Sequence, residues 1–274
     1  MKQYAMVIDL DRCVGCHACA VACRAEWQVP TKEDWRRNWV HRLGPAQTSK
    51  GISFTFYPGL CNHCDEPACI KECPADPVEV TFTDAATGKT KVMEVPATWK
   101  DPFNGTVQID KSRCLGCGAC RDACPYGARY VNTDIANEDL DGEGIADKCT
   151  FCMPRVEKGL DPACVQTCIA DARIFGHIDD KNITDYLKKG AKRLESEEVK
   201  IGPNVYYYGQ PKDLELLNKT SAPEEVASLE RSNRRRMLAQ MVKPVMKQAK
   251  NMGLLGLAGT LLVQAGKAHD EETE

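Results

Sequence analysis

The feature that most constrains this chain is the order of its sixteen cysteines, which fall into four groups of four with none left over. The first group is Cys13, Cys16, Cys19 and Cys23, spaced C-x2-C-x2-C-x3-C, and the second is Cys61, Cys64, Cys69 and Cys73, spaced C-x2-C-x4-C-x3-C. The third, Cys114, Cys117, Cys120 and Cys124, repeats the first spacing; the fourth, Cys149, Cys152, Cys164 and Cys168, is spaced C-x2-C-x11-C-x3-C. A chain of 274 residues can bury a sizeable core and needs no disulfide staples. Its cysteine content, about 6% of the chain, lies below that of a small disulfide scaffold. Structural zinc calls for paired C-x-x-C knuckles or Cys/His mixtures rather than three cysteines within seven residues. A thioredoxin-type site needs one C-x-x-C, not a series of them.

The spacing suits a 4Fe–4S cubane at each of four sites. A cubane offers four iron corners, and a tight loop with cysteines three apart wraps three of them. The fourth cysteine lies a helical turn further on and points elsewhere; in two-cluster ferredoxins it serves the other cluster and a proline often follows it. Pro74 follows Cys73 and Pro125 follows Cys124, whereas Arg24 follows Cys23 and Ile169 follows Cys168. Proline is not a ligand, so all four sites stand. His17 and His63 lie between cysteines of their groups and read as loop residues able to donate hydrogen bonds to sulfur. Arg24, Arg121, Lys148 and Arg155 neighbour ligands and are in position to raise cluster potentials; the plainer reading of each is a side chain facing water.

The net charge of −3 speaks against a nucleic-acid partner. Four cubanes at about −2 each, thiolates included, would make the loaded protein distinctly acidic. Residues 1–10 alternate like a strand and run straight into the first cysteines, with no extended apolar run of the kind a secretory signal carries. Work outside the cytoplasm would then require export in the folded state on a signal carried by another chain.

Each repeat reads as a short strand, a cysteine loop and a helix starting near the third cysteine. Tyr4 to Asp9, Gly105 to Asp110, Ala128 to Val131 and Arg173 to Ile178 are the expected strands. This is the ferredoxin pattern, doubled. Between Cys23 and Cys61 a polar loop carrying Trp35 and Trp39 is expected at the surface. Val78 to Thr83 and Thr90 to Val95 read as a hairpin turning at residues 85–89. Ile183 to Leu194 reads as a helix and Asn204 to Tyr208 as a strand. Ser221, Pro223 and Glu224 suggest a helix start, followed by Val226, Leu229, Met237, Met241 and Val245 at helical spacing and by a break at Pro244. Met252 to Gly266 is apolar but shorter than the ~20 residues a membrane span needs, and is read as a tail for a partner's groove or a lipid surface.

Four stretches carry a resemblance. YAMVIDLDRCVGCHACAVAC, YPGLCNHCDEPACIKECP, RCLGCGACRDACPYGARY and KCTFCMPRVEKGLDPACVQTC resemble, in turn, the four motifs of the electron-transfer subunits of the dimethyl sulfoxide reductase family. These are partners of molybdenum or tungsten bis-pterin oxidoreductases, and the likeness is strongest to the polysulfide, thiosulfate, tetrathionate and arsenate reductase types. It covers about residues 1–210; ADARIFGHI (residues 170–178) looks most like the tetrathionate type, and the extension after about Lys219 has no counterpart.

The resemblance implies an α+β fold of two interlocked bacterial-ferredoxin-like halves, each holding two 4Fe–4S clusters, with loop insertions and a helical C-terminal extension. One half is expected to span 1–60 with 140–180 and the other 61–139, with the hairpin near 78–95 inserted, 181–220 closing the fold and 221–274 extending from it. Fourth cysteines exchange within a half. One cluster takes Cys13, Cys16, Cys19 and Cys168, and its pair takes Cys149, Cys152, Cys164 and Cys23. In the other half the sets are Cys61, Cys64, Cys69 and Cys124, and Cys114, Cys117, Cys120 and Cys73. No catalytic residues and no small-molecule substrate of its own are expected. Implied instead is one-electron transfer between a large molybdenum or tungsten pterin subunit and a quinone-reactive membrane subunit or soluble carrier. The setting is a peripheral membrane complex, on the periplasmic face by co-export or on the cytoplasmic face. The competing reading is a free-standing polyferredoxin, against which the insertions and the extension weigh.

Overall fold

A computed structural model of the chain describes residues 2–32, 34–135 and 144–223. In chain order the elements are β1 (Tyr4–Asp9), α1 (Ala18–Trp27), β2 (Asn38–Thr48), β3 (Gly51–Leu60), α2 (Ala68–Lys71), β4 (Val78–Thr83), β5 (Thr90–Val95), β6 (Thr98–Lys100) and β7 (Val107–Ile109). There follow α3 (Ala119–Asp122), β8 (Tyr130–Asn132), β9 (Ile145–Asp147), α4 (Met153–Val156), α5 (Ala163–Gln166), β10 (Arg173–His177), α6 (Lys181–Lys188), β11 (Lys192–Arg193), β12 (Val205–Tyr208) and α7 (Pro211–Ser221). Helices and strands are mixed through the chain, as an α+β fold requires.

The largest sheet has the order β10-β1-β12-β11. β1 runs antiparallel to β10, with Tyr4 opposite His177, and parallel to β12, with Met6 opposite Val205. Side chains of a strand alternate between faces, and β1 is buried on both. Met6 and Ile8 face a core that includes Cys19, Cys61, Cys64, Cys149 and Cys164, while Ala5 and Val7 pack with Ile183 of α6 and with Tyr206. The remaining strands form the antiparallel pairs β2–β3, β4–β5, β6–β7 and β8–β9.

In every quartet a helix begins one residue before the third cysteine, at Ala18, Ala68, Ala119 and Ala163. Two devices turn the chain there. His17 and Gly118 precede α1 and α3 in the left-handed conformation, whereas Pro67 and Pro162 precede α2 and α5 with the fixed negative φ of proline. Helix α1 packs against α5, and α2 against α3.

β1, β7, β10 and β12 form within the expected segments, and β4–β5 has Val78 opposite Val95 and Thr83 opposite Thr90, the anticipated hairpin. β8 begins two residues later than expected, because the Ala128 N–H is turned to the Cys124 Sγ at 3.5 Å. Other expectations need correction. The segment expected as a polar surface loop is the long hairpin β2–β3, and Trp35 and Trp39 are buried. Trp39 lies so close over Gly59 that an added Cβ there would come within 2.2 Å of its ring. The helix expected to reach Leu194 ends at Lys188, since Gly190 at φ +97° leaves the helical path and leads into β11. Ser221 ends α7 rather than starting a helix; α7, with Pro211 in its first turn, packs on β2 and β3 through an apolar face that includes Leu216 and Leu217. The anticipated helix and apolar tail from Glu224 onward lie outside the described residues. Among the described residues no helix is long and apolar enough to cross a membrane.

Candidate metal centres

Twelve of the sixteen thiols line three cavities, and each cavity mixes two quartets. One cavity is lined by Cys13, Cys16, Cys19 and Cys168. A second is lined by Cys61, Cys64, Cys69 and Cys124, and a third by Cys73, Cys114, Cys117 and Cys120. The remaining four, Cys23, Cys149, Cys152 and Cys164, are all buried and are one another's electrostatic neighbours. Among the described residues no three His, Cys, Asp or Glu side chains converge on a point as tightly as a single ion would require. The thiols ring spaces instead.

Burial makes these poor places for free thiolates. It pushes Cys69 up to about 12 and Cys117 and Cys164 up to about 11, with Cys23, Cys64 and Cys149 also raised by burial and by neighbouring thiols. A cationic metal core would offset that cost and displace the protons. Donors are already in place around the sulfurs. The N–H groups of Ala128, Ala146, Phe151 and Ala172 point at Cys124, Cys114, Cys149 and Cys168 at 3.3–3.5 Å, and Trp27 Nε1 donates to Cys152 Sγ at 3.3 Å.

His63 is a loop residue, as expected, but a fully buried one. It lines the second cavity, stacks on Phe151 at 3.8 Å between ring centroids, and accepts the Val107 N–H at Nδ1 over 2.9 Å. That bond places the ring hydrogen on Nε2, which finds no partner. Burial, with Lys148 and Arg129 nearby, holds the imidazole well below its ordinary value, so it is neutral. His17 stays in its loop, preceding α1.

Of the four cations singled out by sequence, only Lys148 is fully enclosed, at 1% exposure, contrary to the water-facing reading. Its Nζ donates to the carbonyls of Val107 and, at 2.7 Å, Cys149. Arg24 is half-turned inward to main-chain carbonyls that include Trp35 at 2.9 Å, Arg155 pairs with Glu26 at 2.9 Å, and Arg121 lies at the surface with Asp122. Three further buried cations escaped the sequence reading: Arg37, Arg129 and Arg173, each 4% exposed. Arg37 forms a two-bond pair with Asp147 at 2.6 and 2.7 Å. Arg129 lines both the second and the third cavity, and Arg173 lines the first. Their only early signal is position, since Arg129 follows Cys124 and Arg173 follows Cys168 at the same interval, each after an alanine.

Comparison with known proteins agrees with this geometry. Residues 52–178 match the family model of the 4Fe–4S dicluster domain, and residues 4–25 match that of a 4Fe–4S binding domain. The chain is 37% identical to a subunit of the tetrathionate reductase of Salmonella typhimurium, over 76% of this chain and 72% of that protein. It is 39% identical to the thiosulfate reductase electron transfer subunit PhsB of Salmonella typhi, over 75% and 92%. It is 30% identical to the arsenate respiratory reductase iron–sulfur subunit ArrB of a Shewanella species, over 74% and 94%. The chain belongs to the iron–sulfur subunits of the dimethyl sulfoxide reductase family. As a member of that family it is an electron-transfer protein that binds 4Fe–4S clusters. The unpartnered His63 Nε2–H, the amide donors at cysteine sulfur and the buried cations beside the cavities all suit an anionic cluster with sulfur acceptors. The identities to the tetrathionate and thiosulfate reductase proteins are nearly equal, so the likeness of residues 170–178 to the tetrathionate type singles out no substrate.

Proposed function

We propose that this chain carries four 4Fe–4S clusters and conducts single electrons between a molybdenum- or tungsten-pterin catalytic subunit and a membrane subunit that reacts with quinone, or a soluble carrier in its place. The carrying observation is the exchange of fourth cysteines between quartets: three rings of four thiols line cavities, and each ring takes its fourth member from the other quartet of its pair. The ligand sets are Cys13, Cys16, Cys19 and Cys168; Cys149, Cys152, Cys164 and Cys23; Cys61, Cys64, Cys69 and Cys124; and Cys114, Cys117, Cys120 and Cys73. The first two sets define one ferredoxin-like half and the last two the other. Packing of α1 on α5 and of α2 on α3 supports this division. Residues 181–223 complete the first half, since β11 and β12 extend the sheet that contains β1.

A 4Fe–4S cluster supplies the capacity to accept and release one electron. The chain's own residues hold, insulate and bias it. The thiols fix it, the apolar core of Met6, Ile8, Leu60 and Phe151 keeps water away from it, and the amide and His63 N–H groups stabilise charge on its sulfurs. A catalytic partner is supported by the relatives, which are named as subunits of tetrathionate, thiosulfate and arsenate reductases. The complex is then peripheral to a membrane through its partners.

The exchange of ligands is directly testable by serine substitution and EPR of the anaerobic complex. Cys73→Ser should perturb the same cluster as Cys117→Ser, and Cys168→Ser the same cluster as Cys16→Ser. Perturbation of the Cys64 cluster by Cys73→Ser would overturn the ligand sets.

A further inference from the structure

Two buried arginines occupy equivalent places in the two halves. Arg129 and Arg173 each stand five residues after the fourth cysteine of a quartet, and each follows an alanine, Ala128 or Ala172, whose N–H points at that cysteine's sulfur at 3.5 and 3.3 Å. Both are almost fully enclosed. Neither is paired with a carboxylate, and Arg173 also bonds the Cys19 side chain. Arg129 donates to Thr98 Oγ1 at 3.1 Å, and its Nη2 is buried with no partner; Arg173 donates to Asn38 Oδ1 at 3.1 Å and approaches Met6 Sδ at 3.6 Å. Arg37 differs sharply: equally buried, it is neutralised by the Asp147 carboxylate.

A guanidinium does not give up its proton in a protein, and an uncompensated charge in the interior is strongly unfavourable. Burial alone would lower both arginines. Both are nevertheless raised, Arg129 by the thiolates of Cys69, Cys120, Cys61 and Cys124, and Arg173 by those of Cys164 and Cys19 together with Tyr207. Cys61, Cys69 and Cys124 belong to one proposed cluster and Cys120 to its pair. Cys19 belongs to the cluster proposed at the first cavity and Cys164 to its pair. Arg129 also lines the two cavities of its half at once.

We propose that Arg129 is a counter-charge shared by both clusters of its half, raising both potentials together, and that Arg173 acts in the same way on the cluster of the first cavity. The physical reason is the weak screening of the interior. An electron arriving at either cluster beside Arg129 is attracted by the same fixed cation, so the two sites are biased as a unit. Neighbouring clusters each gain negative charge on reduction, and a cation between them softens the penalty that one reduced cluster imposes on the next.

This inference rests on the ligand sets proposed above, and the experiment separates the two. The full chain in its native complex is prepared with Arg129→Gln, Arg129→Lys or Arg173→Gln, and iron content and EPR-monitored redox titrations are recorded. Arg129→Gln should lower both clusters of the second half, each by at least a tenfold change in the reduced-to-oxidised ratio at fixed potential, which is 59 mV for one electron. The clusters of the first half should hold their potentials. Arg173→Gln should lower the cluster of the first cavity by the same measure while both clusters of the second half hold their potentials. Arg129→Lys, which keeps the charge and changes the shape, should stay within a threefold change at all four sites. Unchanged potentials in Arg129→Gln with iron complete would overturn the proposal, as would a shift confined to one cluster of the half. Should Arg129→Gln fail to retain iron, Arg129→Lys still decides: a tenfold fall at full iron content overturns the charge-based role, and retained potentials support it. The cysteine-to-serine pairings report on the ligand sets alone, so an error there would be visible separately.

Discussion

At the scale of single residues, the buried charges are placed with different purposes. Asp147 joins Arg37 in a two-bond pair and also accepts the Tyr130 hydroxyl at 2.5 Å, just before the Lys148-Cys149 step. Burial alone would raise its carboxyl, but the Arg37 guanidinium and the Tyr130 hydroxyl hold it below the ordinary 3.8. A depressed carboxylate contributes stability that is present above the ordinary value and lost as pH falls through the folded one. Acid titration should therefore weaken the link between this strand and the segment before β2 below about pH 4. Asp147→Ala should cost about 3–5 kcal/mol because it strands Arg37 in the interior, read as a lowered denaturation midpoint in the holoprotein. His63 is the complementary case of a neutral donor. His63→Leu removes its N–H while keeping the ring's place filled. Because the ring lines the cavity of Cys61, Cys64, Cys69 and Cys124, the substitution should lower the potential of the cluster proposed there, as measured by redox titration.

At the scale of elements, the β2–β3 hairpin is part of the core. Trp39, Tyr57 and Leu60 belong to the same core as the cysteine loops, and α7 lies across the hairpin. The closeness of Trp39 and Gly59 makes the pair a sensitive joint. Gly59→Ala should destabilise the hairpin by about 1–3 kcal/mol through overpacking, visible as a lower thermal midpoint with iron content unchanged at low temperature. The β4–β5 hairpin behaves oppositely. It exposes most of its residues and anchors through Phe82 and Val95. Replacing residues 84–89 by a tight two-residue turn should leave all clusters and all potentials intact, as measured by iron analysis and EPR.

At the scale of the whole molecule, the clusters and the fold are mutually dependent. Cysteines from distant parts of the chain meet in each ring, and Arg129 and Arg173 lie buried beside thiols rather than carboxylates. Removing iron with a chelator should therefore abolish cooperative unfolding and leave two buried guanidinium groups without counter-charge, as followed by near-UV circular dichroism. Loss of a single cluster should act on conduction instead. Cys120→Ser in the complex should sharply reduce turnover driven by quinol while sparing catalysis driven by an artificial donor that reaches the catalytic subunit directly. The paired assays distinguish a broken wire from a damaged enzyme.

Cysteine spacing is a local property, and it was legible without a structure. A loop that wraps a cubane needs thiols three apart followed by a helical turn, so Cys13 to Cys23 and Cys114 to Cys124 declare their chemistry in a dozen residues. The hairpin at Val78 to Val95 was legible for the same reason, because strand alternation and turn chemistry act over neighbours. The pairing of distant quartets is not legible in spacing and enters only through the family likeness, because spacing says nothing of which distant loop lies across a cavity. The parallel union of β1 with β12, the burial of Trp35 and Trp39, and the docking of α7 were not legible, since each depends on what distant segment covers a given face. The same holds for charge. A lysine or arginine in a sequence reads as a solvated side chain, and only the tertiary structure shows that Lys148, Arg129 and Arg173 are enclosed. Burial is set by the summed packing of residues far apart in the chain, and it is burial that turns an ordinary cation into one that acts on a cluster.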